Sequence, residues 1–179
     1  MMKNTALALI LGLASTTAFA NTGSINFHGE VHAGTCPIII IDPQTGLPMS
    51  RIHMGNVNAA QFKTAGAEAA SRPFAMRVTP TAGCVVTTGE GTVTFTGAYG
   101  GAGTGNALYA LQPGGSSGLA LTIKDDTGTA VANGALSKEY TLSTTAPTDM
   151  LFSAAYQSVA GTVTPGQANT DIQFLVDVK

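Results

Sequence analysis

The chain has 179 residues, of which only 10% are charged, and its formal net charge is −2. No cluster of basic residues is present, which excludes the positive surface typical of nucleic-acid-binding proteins. Tryptophan is absent and aromatic residues make up only 6% of the chain, so few flat rings are available to stack against a carbohydrate.

The N-terminus has the parts of a secretory signal peptide. Lys3 supplies a positive charge, residues 6–14 are apolar, and Ala18-Phe19-Ala20 is a small-x-small cleavage site. The apolar stretch is too short to span a bilayer. We therefore expect residues 1–20 to be removed on export, and the remainder is long enough for one domain with its own core.

Short strands are predicted along most of the remaining chain. Residues 23–31 (GSINFHGEV) alternate between apolar and other side chains, and candidate strands follow at residues 30–41 and 51–57. Residues 59–71 are rich in alanine and form the one helix-like stretch, although Gly66 weakens it, so we expect a short helix or a turn.

The second half continues the same pattern. Residues 74–78, 92–96 and 119–124 alternate, and Asp125-Asp126-Thr127-Gly128 is a turn signal. The further candidate strands are residues 140–143, 150–156 and 171–179. Residues 97–118 are rich in glycine, and we interpret them as a long flexible surface loop. Repeated short strands with turns between them predict an all-β sandwich or barrel.

The two cysteines, Cys36 and Cys84, form an even pair in a chain expected to be exported, which favours a disulfide. Two free thiols or half of a metal site are the alternatives. The absence of a CxxC motif and of a neighbouring histidine disfavours both.

No constellation typical of an active site is found. His28 and His32 share a strand face but lie about 13 Å apart, too far to hold one metal ion, and they and His53 are interpreted as solvent-facing or interfacial. Asp125-Asp126 lacks the spaced carboxylates of a calcium loop, and no GxSxG elbow is present. We expect no enzymatic activity, no metal and no cofactor.

The order and spacing of several segments resemble those of the chaperone–usher fimbrial subunits, and most closely the type 1-like major shaft pilins. The matching segments are GSINFHGEV followed by Cys36, the apolar strand that leads to Cys84, VTFTG (93–97), GLALTI (118–123) with DTG (126–128), FSAAY (152–156), TPGQAN (164–169) and the C-terminal strand. The resemblance covers essentially the whole chain.

The resemblance implies an immunoglobulin-like β-sandwich that lacks its last strand, leaving a hydrophobic groove beside the C-terminal strand. A periplasmic chaperone fills this groove first, and an outer-membrane usher and neighbouring pilin subunits are the other implied partners. In the fibre, the N-terminal extension of the next subunit enters the groove by β-strand addition. The implied product is a fimbrium that is exported through the periplasm to the cell surface and supports cell adhesion.

The implied domain boundaries are residues 21–32 for the donor extension and 33–179 for the pilin domain. Matched residue by residue, the donor positions are Asn21, Gly23, Ile25, Phe27 and Gly29. The strand that faces the chaperone or the donor carries Ile172, Phe174, Val176, Val178 and Lys179. Val178 stands where family members commonly have tyrosine, and the carboxylate of Lys179 is available to basic residues of a chaperone.

Three alternatives stay open at this point. One is a minor adaptor or terminator subunit of the same kind of fibre. The second is a small adhesin or carbohydrate-binding module, and the third is a small exported hydrolase. No nucleic-acid partner is expected for any of them.

Overall fold

The computed structural model describes the backbone of residues 23–29 and the whole of residues 36–179. Within these ranges the chain forms twelve β-strands and two single 3₁₀ turns. The strands are β1 Gly23–Gly29, β2 Ile38–Ile41, β3 Arg51–Gly55, β4 Glu68–Val78, β5 Glu90–Gly97, β6 Gly101–Ala102, β7 Leu108–Tyr109, β8 Leu119–Asp125, β9 Ala130–Val131, β10 Tyr140–Thr141, β11 Thr148–Ser158 and β12 Thr170–Val178. The 3₁₀ turns are Ala59–Gln61 and Thr104–Asn106.

The strands form two sheets. The first has the order β10-β5-β12-β1-β3, and the second has the order β2-β4-β11-β8-β7-β6 with β9 paired to β8. Among the described strands, β1 and β12 are the one parallel pair, and all others are antiparallel. The predicted all-β sandwich is therefore confirmed.

Three phenylalanine rings hold the sheets together at the centre of the core. Phe95 of β5 meets Phe152 of β11 edge-on, with ring centroids 5.0 Å apart, and meets Phe74 of β4 edge-on at 6.2 Å. Phe74 and Phe152 stack at 5.6 Å within the second sheet. Edge-to-face and offset contacts are the favoured geometries of aromatic pairs, so the cluster ties one sheet to the other.

The alternation in β5 explains why this segment is a strand. Val93 and Phe95 are fully buried, whereas Thr92 and Thr94 are only half-buried on the outer face. The side-chain period of two puts β-formers on both faces and the large apolar groups on one. The strands predicted at residues 92–96, 119–124 and 150–156 are confirmed, each within a somewhat longer strand.

The expectation of a short helix or a turn at residues 59–71 is confirmed at the start of the segment and wrong from Glu68 onwards. A single 3₁₀ turn covers Ala59–Gln61, and Glu68 already begins β4. Gly66 has a positive φ of 85°, which ends any helix at that point. From Glu68 onwards the backbone pairs with β11, because the long-range ladder and its core contacts outweigh the local preference of alanine for helix.

The interpretation of residues 97–118 as a flexible surface loop is also wrong. The segment contains β6 and β7, and it buries Tyr109 completely. The Tyr109 hydroxyl donates a hydrogen bond to the Val131 carbonyl at 2.9 Å. The glycines provide tight turns, as at Gly100 with a φ of 83°, while the tyrosine anchors the segment in the core.

Cys36 and Cys84 form a disulfide across 48 positions of sequence, and both residues are buried. The bridge ties the chain just before β2 to the loop that follows β4. The alternatives of free thiols or a metal half-site are therefore wrong. Among residues 36–179 no group of three or more potential metal-ligating side chains comes together, and no helix in the described part is long and apolar enough to span a membrane.

Candidate functional site

The first sheet contains a slot between β12 and β3, and β1 occupies it. β12 and β3 do not pair with each other, because β1 lies between them and pairs with both. Removal of β1 would leave each wall with a row of unpaired backbone N–H and C=O groups. The slot is thus a strand-binding site that the chain fills with its own N-terminal segment.

On one side β1 runs parallel to β12. The register places Ile25 opposite Thr170, Phe27 opposite Ile172 and Gly29 opposite Phe174. Thr170 and Ile172 are buried at 1% and 0% exposure. The apolar positions of β1 therefore align with the most deeply buried part of the wall.

On the other side β1 runs antiparallel to β3. Ile25 lies opposite Ile52, Asn26 lies opposite Arg51, and the register shifts between Gly23 and Ser24. Ile52 is buried, whereas Arg51 is exposed. Ile25 therefore lies opposite a buried residue on each wall, Thr170 of β12 and Ile52 of β3.

The wall residues predicted from the sequence share one face of β12. Ile172 is fully buried, and Phe174, Val176 and Val178 are half-buried and pack against the core. The intervening positions, residues 173, 175 and 177, are exposed. The alternation lines one side of the slot with a row of apolar side chains.

Lys179 is hydrogen-bonded to the start of β5 and to the residues just before it, on the side of β12 that faces away from β1. The backbone N–H of Lys179 donates to the Glu90 carbonyl at 2.9 Å, and its backbone oxygen accepts from the Thr88 N–H at 3.1 Å. The Lys179 residue itself is exposed. The C-terminal end of the wall is therefore anchored to β5 and does not depend on β1 for these bonds.

The N-terminal end of β12 is held by Asp171. The Ala98 N–H donates to the Asp171 carbonyl at 2.8 Å, and the Tyr99 hydroxyl donates to Asp171 Oδ2 at 2.9 Å. This hydrogen bond, with smaller contributions from burial and from the carboxylate charge, raises the pKa of Tyr99. Asp171 is also at the register position of Asn26 in β1.

The outer edge of β3 is partly covered by Arg72. Its Nε donates to the His53 carbonyl at 3.3 Å, reaching across from β4 in the other sheet. A charged side chain over an exposed sheet edge discourages pairing with a foreign strand. β3 thus accepts β1 on one side and is protected on the other.

A small apolar cavity of about 30 Å³ lies at the Gly23 end of the slot. Its lining residues come from the end of β3 and the segment after it, from the start of β8, from β11 and from the loop before β12; they include Gly55, Val57, Phe62, Tyr156, Val163 and Ala168. The volume is that of about one water molecule. Sequence reasoning missed it, because its walls come from segments distant in the chain.

The placement of the predicted site residues can now be stated. Gly23, Ile25, Phe27 and Gly29 lie in β1, whereas Asn21, His32 and the expected signal peptide lie outside the described residues. β1 and β12 pair with each other inside the sheet, and the edges are β10 and β3.

Comparison with known proteins identifies the family. The fimbrial protein family model matches residues 25–179. The fimbrial subunit type 1 of Klebsiella pneumoniae is 30% identical over 188 aligned positions, covering 98% of each chain.

Solved structures agree with this match. The crystal structure of an antigen and type I fimbria protein of Burkholderia pseudomallei is 27% identical, with a TM-score of 0.53 over 88% of this chain and 92% of that one. A chaperone–usher pilus structure shares the fold at 16% identity, with a TM-score of 0.60 over 97% of this chain and 100% of that one. The chain belongs to the fimbrial protein family.

Proposed function

We propose that this structural subunit of a surface pilus joins its neighbours by donating its N-terminal segment to the slot between β12 and β3 of another copy. The observation that carries the proposal is the position of β1, which pairs along both walls of a slot that nothing else in the described fold fills. The donated segment is residues 21–32, and the accepting domain is residues 33–179.

An empty slot is costly, which supports exchange over simple opening. Ile52 and Ile172 would lose their cover, at about 1.5–3 kcal/mol for each fully exposed side chain. The backbone ladders on both sides would be lost as well. The same segment of a second copy restores these contacts, as in domain swapping. Polymerisation therefore replaces the chain's own β1 by an equivalent strand from a neighbour.

The register supports the proposed roles in part, since it places Phe27 opposite Ile172 and Gly29 opposite Phe174. Gly23, Ile25, Phe27 and Gly29 are the donor positions that enter the slot, with Asn21 outermost. Ile172, Phe174, Val176 and Val178 receive them, and Lys179 presents the terminal carboxylate. The role is structural and not catalytic.

The same slot accounts for the partners expected during export. A periplasmic chaperone that supplies a strand to β12 keeps the domain folded until assembly, and an outer-membrane usher directs the exchange. The signal peptide at residues 1–20 brings the chain into the periplasm. The homopolymer then forms the surface fibre.

The test uses the full chain with one donor substitution. Phe27→Asp places a negative charge directly opposite the buried Ile172. Burying a charge without a partner costs several kcal/mol. We expect this variant to form no polymer ladder on an unboiled gel. Ser24→Asp is the matched control, because Ser24 pairs with exposed His53, and we expect it to polymerise. Normal polymers from Phe27→Asp would contradict strand donation.

A further inference from the structure

We propose that Asn133 and Gly134 form a self-modification site that the folded domain keeps closed. They are the one Asn-Gly pair of the sequence. While the chain is unfolded, the pair deamidates spontaneously, and one of the two products cannot rebuild the outer edge of β5. The inference is independent of strand exchange, because it needs only contacts within one domain and solvent water. Time that a subunit spends unfolded before assembly therefore leaves a permanent chemical mark.

The reaction needs only water and hydroxide. The backbone nitrogen of Gly134 loses its proton to hydroxide and attacks Cγ of Asn133, and the side-chain nitrogen leaves as ammonia with a proton from water. Water then opens the succinimide ring. Cleavage of the new N–Cγ bond gives aspartate, whereas cleavage of the bond from nitrogen to the backbone carbonyl carbon of Asn133 gives isoaspartate. Glycine favours the attack, because no Cβ stands beside the nitrogen.

The fold holds the two reacting groups on different residues of β5. The side-chain oxygen Oδ1 of Asn133 accepts a hydrogen bond from the Gly97 N–H at 2.9 Å. The Gly134 N–H donates to the Phe95 carbonyl at 2.8 Å. Both residues of β5 are buried. The nitrogen must leave Phe95 and the amide must leave Gly97 before they can meet, so the reaction requires this edge to open.

Further hydrogen bonds hold the segment around the pair. The Asn133 N–H donates to the Ala107 carbonyl at 2.9 Å, and the Ser137 N–H donates to the Val93 carbonyl at 2.8 Å. The Ser137 hydroxyl accepts from the Val93 N–H at 2.9 Å. Residues 133–137 thus continue the outer edge of β5 beyond β10, which pairs only with the first two residues of that strand. The pair is fixed on both sides and opens only with this edge.

The two products differ in whether they can restore these bonds. In the aspartate product the backbone is unchanged, and the side-chain oxygen still accepts from the Gly97 N–H. Position 133 is half-buried, so the new charge keeps its contact with water. In the isoaspartate product the former side-chain carbonyl and the Gly134 N–H belong to one peptide group. A trans peptide is planar and points its C=O and N–H in opposite directions, so both cannot face β5. Either the Gly97 N–H or the Phe95 carbonyl then lacks its partner, which destabilises a buried strand.

The first experiment compares the chain unfolded in guanidinium chloride with the folded monomer at the same mildly alkaline pH. Mass spectrometry of digested samples follows the loss of each side-chain amide. We expect Asn133 to deamidate several-fold faster in guanidinium than Asn58, which is followed by alanine. In the folded monomer Asn133 should react at least about 100-fold more slowly, since the edge must open first. Equal rates at the two asparagines in guanidinium, or equal rates at Asn133 in both states, would overturn the proposal.

The second experiment uses the aged chain, which contains both products with the same mass. The pool is brought to the denaturant concentration at which half of the unmodified chains are folded, and brief proteolysis removes the unfolded ones. Isoaspartate at position 133 is then distinguished from aspartate by enzymatic methylation. The ratio of folded to unfolded chains should fall about fivefold or more for isoaspartate. It should stay close to that of the parent for aspartate, with Asn133→Asp as the pure control. Equal survival of the two products would show that isoaspartate does not disturb the edge of β5 and would overturn the proposal.

Discussion

Phe27 and Ile172 lie opposite each other in the parallel ladder that joins the first described strand to the last. On its other side Ile172 is opposite Gly97 of β5, and its side chain is fully buried. β12 is thus covered on one side by β1, a strand from the N-terminal part of the chain.

Replacement of Ile172 by alanine should destabilise the domain strongly. Truncating a fully buried isoleucine loses transfer free energy and leaves a cavity, which together cost about 2–5 kcal/mol. The free energy of unfolding, measured by urea denaturation of the monomer, checks this. Gln173→Ala, on the exposed face of the same strand, should change it by less than about 0.5 kcal/mol. Equal effects of the two substitutions would contradict the assignment of faces in β12.

Replacement of Ala70 by glycine should stabilise the domain. Ala70 has a φ of 59° in a bulge of β4, where Ala69 pairs with Tyr156 and Arg72 with Ala154. A non-glycine residue in this region costs about 1–2 kcal/mol, and the greater freedom of glycine in the unfolded chain offsets part of the gain. We expect the free energy of unfolding to rise by about 0.5–1 kcal/mol.

The neighbouring residue provides the control. Ala69 is half-buried in the same strand and has no positive φ, so Ala69→Gly should lower the free energy of unfolding by about 0.5–1 kcal/mol. Opposite signs for the two identical substitutions would confirm the bulge. A loss in both variants would show that Ala70 is not strained.

Removal of the disulfide should lower stability by up to about 4 kcal/mol, because its loop of 48 positions restricts the unfolded chain. Cys36→Ala/Cys84→Ala is the suitable variant, since both cysteines are buried and alanine adds no polar group. Thermal unfolding with and without dithiothreitol gives the measurement. Dithiothreitol should lower the melting temperature of the parent chain and leave that of the variant unchanged; sensitivity of the variant would point to another target of the reductant.

Stability should fall as the pH rises above about 10. Burial raises the pKa of Tyr109 and of Tyr156, whose hydroxyls donate to the carbonyls of Val131 and Ala168. The unfolded chain releases these protons near pH 10, whereas the folded chain keeps them to higher pH. The two buried tyrosines therefore stabilise the folded state fully below pH 10. As the pH rises above 10, the free energy of unfolding falls by about 1.4 kcal/mol per pH unit for each tyrosine.

Urea denaturation at pH 9, 10 and 11 measures this slope. Tyr109→Phe should reduce the slope of the free energy of unfolding against pH by the contribution of one tyrosine. The double variant Tyr109→Phe/Tyr156→Phe should reduce it by the contribution of two. Each variant should also be less stable than the parent at pH 9, since it leaves a buried carbonyl without its donor. Slopes identical to that of the parent would rule out these two residues as the cause.

Much of the fold was accessible from local pattern. The alternation at Val93 and Phe95 predicts a half-buried strand, because the side-chain period of two is a property of the segment alone. The pairing of Cys36 with Cys84 also followed from their number and the expected export. The family likeness predicted the sandwich and the groove beside β12.

Other features of the fold could not be predicted from the sequence, because they depend on residues that are distant along the chain. Alanine-rich residues 68–71 belong to a strand, since the ladder with β11 outweighs their helix preference. The glycine-rich segment is ordered around Tyr109, whose buried acceptor at Val131 lies 22 residues further along the chain. A window of neighbouring sequence contains neither partner.

The sequence by itself determined that residues 23–29 and the C-terminal segment are amphipathic strands, because alternation is local. Only the tertiary structure decided that β1 lies inside the sheet, parallel to β12 and antiparallel to β3. The physical reason is that a period of two specifies which face of a strand is buried but not its neighbour or its direction. The neighbours of β1 are available only after the rest of the fold has placed β3 and β12 on the two sides of the slot.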